Sequence, residues 1–209
     1  MQDGETVLIA TLLAGRVREY RDARGAWSSA LQKTPVTGPV LVTLAGLEGD
    51  EVQDRIHHGD ADKALLCYSV AHYPRWLEDT GLELPPGAFG ENLLLEGLDE
   101  QGACLGDVWS AGGARLQVSQ PRMPCWKPAR LWGRPTLVEE MSTTGRTGWY
   151  LRVLREGRLA AGAMLELEQR PQPDWSVARC WQTYLGRKSD AAEWVALRAL
   201  PELAAAWQS

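Results

Sequence analysis

The chain is poor in the residues that mark several common protein classes. Its 209 residues include three histidines, one phenylalanine and four cysteines. Cys67, Cys104, Cys125 and Cys180 lie far apart in sequence, so neither a CxxC redox pair nor a zinc knuckle can form locally. Isolated free thiols of this kind point to a reducing, cytoplasmic setting. No apolar run reaches the length of a membrane span. The first residues, MQDGETVLIATLLAG, carry Asp3 and Glu5 but no basic stretch, and read as a first strand rather than a signal peptide. The glycine patterns of Walker A loops and dinucleotide-binding folds are missing, so neither ATP nor NAD is expected. No lysine stands in a recognisable Schiff-base context, which argues against pyridoxal phosphate. A net charge of -5 argues against a nucleic-acid partner.

What is present suits a folded domain of ordinary size with a small appendage. The chain is 44% hydrophobic and 23% charged, enough apolar material for a sizeable core. Residues 7–13 (VLIATLL) and 40–44 read as strands ended by glycine. The segment between them, 16–38, reads as polar and basic with turn residues. Residues 64–70 predict a third strand, and 71–80 a short helix interrupted at Pro74. Residues 89–95 lead into strand, and 105–110 and 114–119 form a hairpin about Gly112 and Gly113. Residues 137–141 are helical; 149–154 and 164–168 pair across a turn at Glu156 and Gly157. Beyond Pro171 the pattern becomes helical, with Asp174 and Asp190 as N-caps and Pro201 opening a last helix. The expected domains are therefore a β-rich body over 1–170 and a helical extension over 171–209. Short strands without βαβ alternation favour a mainly β, closed barrel.

Three stretches can carry chemistry. In QVSQPRMPCWKP (117–128), prolines at 121, 124 and 128 fix φ around one thiol, Cys125. Arg122 and Lys127 flank it, and nearby cations favour the thiolate that attacks electrophiles or binds metal. A buried structural cysteine is equally open at this point. The second stretch, GLEGDEVQDRIHHGDADKA, is a long charged segment of the kind that is usually functional or disordered. His57, His58, Asp60 and Asp62 fit no common zinc spacing. Arg55 and Lys63, with Gly59 for close backbone approach, suit an anion instead. The third, GAFGENL, offers Glu91 as an acid or base and Asn92 at a strand entrance. A cysteine hydrolase would need His57, His58 or His72 as its base, and no local signature supports one. One thiolate given to a soft metal carried by an organic cofactor fits the inventory better.

These blocks resemble the MOSC-domain proteins, named for the C-terminal part of molybdenum cofactor sulfurase, and specifically the YiiM-like branch. The match rests on GLEGDEVQDRIHHGDADKAL with HYPRW, on GAFGENL, on LGDVW with LQVSQPRMPC, and on GRTGWYLRVLREG. The stretch from Trp175 resembles the three-helix extension of that branch. The resemblance implies a closed MOSC-type β-barrel with short helices and a small C-terminal helical extension. It implies a molybdenum–pterin cofactor with Cys125 as the metal ligand. It further implies reduction of N-hydroxylated compounds, such as hydroxylaminopurines or amidoximes, with electrons from a separate reductase. On this reading Asn92, Arg55, Gly59, Lys63, Ser119, Arg122 and Lys127 contact the cofactor, and His57, His58 or Glu91 supplies a proton. The alternative is a module that carries the cofactor or sulfur without its own turnover. A monomer or homodimer, away from membranes, is expected. One departure stands out: the family motif HGGPDKA reads HGDADKA here, placing Asp60 and Ala61 where glycine and proline are usual.

Overall fold

A computed structural model describes residues 4–53 and 59–208. In chain order the first strands are β1 (Thr6–Ala14), β2 (Arg18–Asp22), β3 (Gly25–Ser29), β4 (Thr34–Pro35), β5 (Val40–Thr43) and β6 (Gly46–Leu47). A 3-10 turn over Ala61–Lys63 precedes β7 (Leu65–Ser69), helix α1 (His72–Thr80) and β8 (Leu93–Glu96). Then come β9 (Val108–Ala111), β10 (Ala114–Pro121), α2 (Trp126–Leu131) and α3 (Leu137–Thr144). β11 (Trp149–Arg155), β12 (Gly157–Leu159) and β13 (Met164–Gln169) complete the β-rich part. Helices α4 (Val177–Gly186), α5 (Ala191–Arg198) and α6 (Ala205–Gln208) follow.

Seven strands close on themselves in the order β1, β13, β9, β10, β11, β7, β8 and back to β1. Closure removes the edges that would otherwise expose unpaired backbone groups. Six of the seven seams are antiparallel. The exception is β7 with β8, which is parallel, with Cys67 opposite Leu93. A parallel pair needs a crossover, and α1 supplies it. β1 pairs with both neighbours, Leu8 lying opposite Met164 of β13 and Glu96 of β8, and its ladder with β8 shifts register between Ile9 and Thr11.

Side-chain alternation divides the core in two. Leu65, Cys67, Leu93 and Leu95 face the barrel interior with Ile9, Leu116, Val118, Trp109 and Trp149. Tyr68 and Leu94 point the other way, into a cluster with Trp76, Phe89, Leu137 and Met141. Strands β7 and β8 are thus covered on both faces, which is why their residues read as continuous apolar runs. A third cluster joins Leu105 to Cys180, Trp181, Leu197, Leu203 and Trp207, seating the C-terminal helices on one end of the barrel.

Most of the expected elements are recovered, with corrections; the last helix starts at Ala205 and is not opened by Pro201, which lies in the preceding turn. Residues 16–38 contain the β2–β3 hairpin, whose side chains are mostly exposed and so carry no apolar alternation. Pro74 does not interrupt α1: it stands at the third helical position, where its missing N–H has no intrahelical acceptor to lose. Ser176, not Asp174, caps α4, its hydroxyl accepting from the Arg179 N–H, whereas Asp190 caps α5 as expected. Gly157 opens β12, which pairs with β5 rather than forming only a turn.

Candidate functional site

Strand β10 ends at Pro121, and Arg122 follows with its N–H donated to the Gly148 carbonyl at 2.9 Å. Arg122 is buried, with 3% exposure. Cys125 then sits in extended conformation directly before α2, and is half-buried. It lines a cavity at the barrel mouth together with Arg122, Lys127, Lys63, Asn92 and Tyr150. Ala64, Leu66 and Phe89 give that cavity its apolar wall. The other three thiols are buried.

The cationic lining is held from several elements. Lys63, at the end of the 3-10 turn, pairs with Asp60 at 2.6 Å. Lys127 donates to Gln53 Oε1 at 2.8 Å. Arg122 interacts with the Tyr150 hydroxyl, and its Nη1 is buried with no hydrogen-bond partner among the described residues. Burial pushes the Tyr150 phenol up, partly opposed by Arg122, and keeps it protonated as a donor near neutral pH.

Two further residues line the cavity that the sequence reading did not single out. Lys33 and Asp50 form a buried ion pair at 2.6 Å, with side-chain exposures of 8% and 7%. Burial pulls the Lys33 ammonium below its ordinary value, and Asp50 opposes that fall. Asp50 also accepts from the Gly15 N–H at 2.8 Å and from Asn92 Nδ2 at 2.8 Å. Asn92 Oδ1 in turn accepts from the Leu66 N–H at 3.1 Å. One amide and one carboxylate therefore tie β1, β7 and the loop after β6 around the cavity floor. Neither Lys33 nor Asp50 belongs to a local motif, and their meeting is set by the barrel.

The structure separates the other predicted residues. Glu91 is fully buried and does not line the cavity. Its carboxylate accepts from the N–H groups of Gly87 and Phe89 at 2.8 and 3.1 Å and from the Tyr73 hydroxyl, so it holds the GAFG turn. Gly87 has φ +88°, and a Cβ there would lie 2.4 Å from the Lys33 carbonyl oxygen, so glycine lets this turn press against the Lys33 backbone. Ser119 is also buried outside the cavity, its hydroxyl within 2.5 Å of the Asp62 carbonyl oxygen. Gly59 lines a neighbouring cleft with Asp50 and Val52. Arg55, His57 and His58 lie outside the described residues. His72, the remaining candidate base, is buried against Glu100 at 2.6 Å and lines a different cavity from Cys125.

A closed seven-stranded barrel with a thiol at the mouth of a cation-lined cavity defines the class to which this protein is to be compared. The family model "MOSC domain" matches residues 54–166, and the chain belongs to that family. Within it the protein is YiiM-like. The crystal structure of YiiM from Geobacillus stearothermophilus superposes with a TM-score of 0.79 at 34% identity, covering 97% of this chain and 95% of that one. Uncharacterized protein YflK of Bacillus subtilis is 43% identical over 134 residues, 64% of this chain and 61% of YflK. A protein named "Reductase" from Gibberella moniliformis is 35% identical over 153 residues, 71% of this chain but 27% of the fungal protein. The chain thus spans less than two thirds of the length of these two curated relatives. Among the described residues no helix is long and apolar enough to cross a membrane.

Proposed function

We propose that the cavity binds a molybdenum–pterin cofactor through Cys125 and that the protein reduces N-hydroxylated compounds there. The observation that carries this reading is the placement of Cys125. Of four thiols it alone is not buried, and it shares one cavity with Arg122, Lys127 and Lys63. The donor set suits the cofactor: a thiolate for a soft metal, and cationic donors for an anionic pterin substituent. Among the described residues Arg122 Nη1 is a buried donor of this cavity without a hydrogen-bond partner, with capacity for such a group. MOSC membership and a relative named a reductase support an oxidoreductase role.

When bound, the cofactor supplies two-electron chemistry at the metal. The balanced reaction is R–NH–OH + 2 H⁺ + 2 e⁻ → R–NH₂ + H₂O. The electrons come, on this proposal, from a separate reductase. Cys125 holds the metal side of the group, while Arg122, Lys63 and Lys127 orient its charged end. Phe89, Leu66 and Ala64 exclude water from one wall. Tyr150 presents a protonated hydroxyl beside Arg122, a donor able to hydrogen-bond an N–OH oxygen.

Expression in a host that makes the cofactor, followed by elemental analysis, tests the binding half. Wild type is expected to carry molybdenum and Cys125→Ser to lose it; equal, near-zero metal in both would overturn the assignment. Turnover of an N-hydroxylated base with an artificial electron donor tests the second half. Metal-loaded protein without turnover would favour a carrier role.

A further inference from the structure

We propose that the C-terminal helices brace the turn that carries Lys63 into the cavity, with Asp62 as the positioning residue. Asp62 is the middle residue of the 3-10 turn Ala61–Lys63. Its neighbours on either side, Ala61 and Lys63, lead to the loop before the site and to the site itself. Asp62, by contrast, is directed to the other side, and is gripped by the tail and two barrel strands.

The grip has four parts. The Ala205 N–H, at the start of α6, donates to Asp62 Oδ2 at 3.1 Å. Arg152 on β11 places Nε 2.8 Å from Asp62 Oδ1, an ion pair without hydrogen-bond alignment. The same guanidinium donates from Nη2 to the Glu202 carbonyl oxygen at 3.0 Å, which fixes the segment before α6. Ser119 at the end of β10 completes the set: its hydroxyl lies 2.5 Å from the Asp62 carbonyl oxygen, and its own carbonyl accepts from the Ala204 N–H at 3.0 Å. Side chain and backbone of Asp62 are therefore both engaged, by residues far away in sequence. Rotating the turn to withdraw Lys63 from the cavity would break the three contacts to Asp62, from Ala205, Arg152 and Ser119, together.

Burial of the tail explains why it can serve as a fixed point. Leu203, within the bonded segment, and Trp207, just after it, pack with Leu105, Cys180 and Leu197. Residues 202–205 are thus anchored to the barrel end independently of Asp62. The tail closes over the back of the turn, while the cavity lies in front of it. The reading of that cavity as a cofactor site rests on the proposed function; the brace rests on the contacts just described.

The test uses the full chain from a cofactor-competent host. Ala205→Pro deletes one N–H at the first position of α6, where proline is compatible with a helix, and leaves every side chain in place. Asp62→Ala removes both carboxylate contacts. Arg179→Ala, which removes contacts to Glu193, the Asp174 carbonyl and the Trp175 ring on the tail surface and none to Asp62, is the control. Hydrogen exchange of peptides spanning 59–66 is expected to speed up about two- to tenfold in Ala205→Pro, the range of one net hydrogen bond, and further in Asp62→Ala. Exchange in α4 is expected to stay at the wild-type rate, and molybdenum per chain to fall in both variants but not in the control. Unchanged exchange at 59–66 in both variants, or an equal rise throughout the chain, would overturn the brace. Local loosening in a protein whose wild type holds no molybdenum would sustain the brace and defeat the cofactor reading instead.

Discussion

Asp60 Oδ2 lies 2.6 Å from Lys63 Nζ, so a cation of the cavity is met by a carboxylate from its own turn. The related motif has glycine where Asp60 stands, and the departure therefore acts on charge as well as on turn geometry. Asp60 is 44% exposed and the pair is screened, so its worth is at most about 1 kcal/mol. Asp60→Asn is expected to leave stability within that margin. By freeing Lys63 it should tighten binding of inorganic phosphate in the cavity about two- to fivefold, read by titration calorimetry at low salt. Weaker or unchanged binding would argue that Lys63 is not an anion contact.

Thiol labelling should separate Cys125 from the rest. Burial pushes Cys67 well above the ordinary thiol value, raises Cys104 and lifts Cys180 to about 12. These three are both inaccessible and protonated, the two conditions that make a thiol inert. Native protein is expected to take up one equivalent of iodoacetamide and denatured protein four, with Cys125→Ser taking up none in the native state. More than one equivalent on the native fold, counted by mass spectrometry, would contradict the burial of the other three.

Glu91 distinguishes a structural carboxylate from a catalytic one. It is satisfied by two backbone N–H groups of the turn before β8 and by the Tyr73 hydroxyl from α1. Glu91→Gln is isosteric but presents an NH₂ where an acceptor stood. The expected cost is about 1–3 kcal/mol of unfolding free energy, because buried donors lose their partner. Urea denaturation measures it; a variant as stable as wild type but inactive would instead return Glu91 to catalysis.

The Lys33–Asp50 pair should show the asymmetry of buried charges. Lys33→Met leaves Asp50 buried with only the Gly15 N–H and the Asn92 amide, and is expected to cost about 3–5 kcal/mol. Lys33→Met combined with Asp50→Asn should recover a large part of this. Burial lowers the Lys33 value from 10.5, so just below that pH the unfolded chain holds more protons than the folded one. Wild-type stability should therefore rise with pH in that window, and the double variant should lack the rise. Denaturation curves collected from neutral pH to 10.5 check both statements.

Much of the barrel is legible locally because its strands are short apolar runs cut by glycine. Residues 7–13, 64–70 and 114–119 fall on β1, β7 and β10. The hairpin at Gly112 and Gly113 is real, and a Cβ on Gly112 would meet the Arg158 carbonyl oxygen at 1.7 Å. The β2–β3 hairpin was not legible, since its Tyr20 and Trp27 stack on each other rather than on a core face. Helix α2 was hidden by Pro128, which lies in its first turn, where proline is tolerated. Leu105–Asp107 read as strand but form a turn: the Asp107 carboxylate accepts the Cys104 N–H and pairs with Arg170, contacts no local pattern records.

The sequence by itself determined the β-rich body, the helical extension and the one thiol set between prolines and cations. Those follow from period, turn chemistry and fixed φ, all properties of neighbouring residues. Only the tertiary structure decided which charges share the cavity with Cys125. It brought in Lys33 and Asp50, withdrew Glu91 and Ser119 into structural roles, and set Asp62 against the C-terminal helices. The physical reason is barrel closure. Pairing β8 back onto β1 brings Asn92 beside Leu13 and Asp50, so contacts across 42 and 79 residues become first neighbours that no stretch of chain encodes alone.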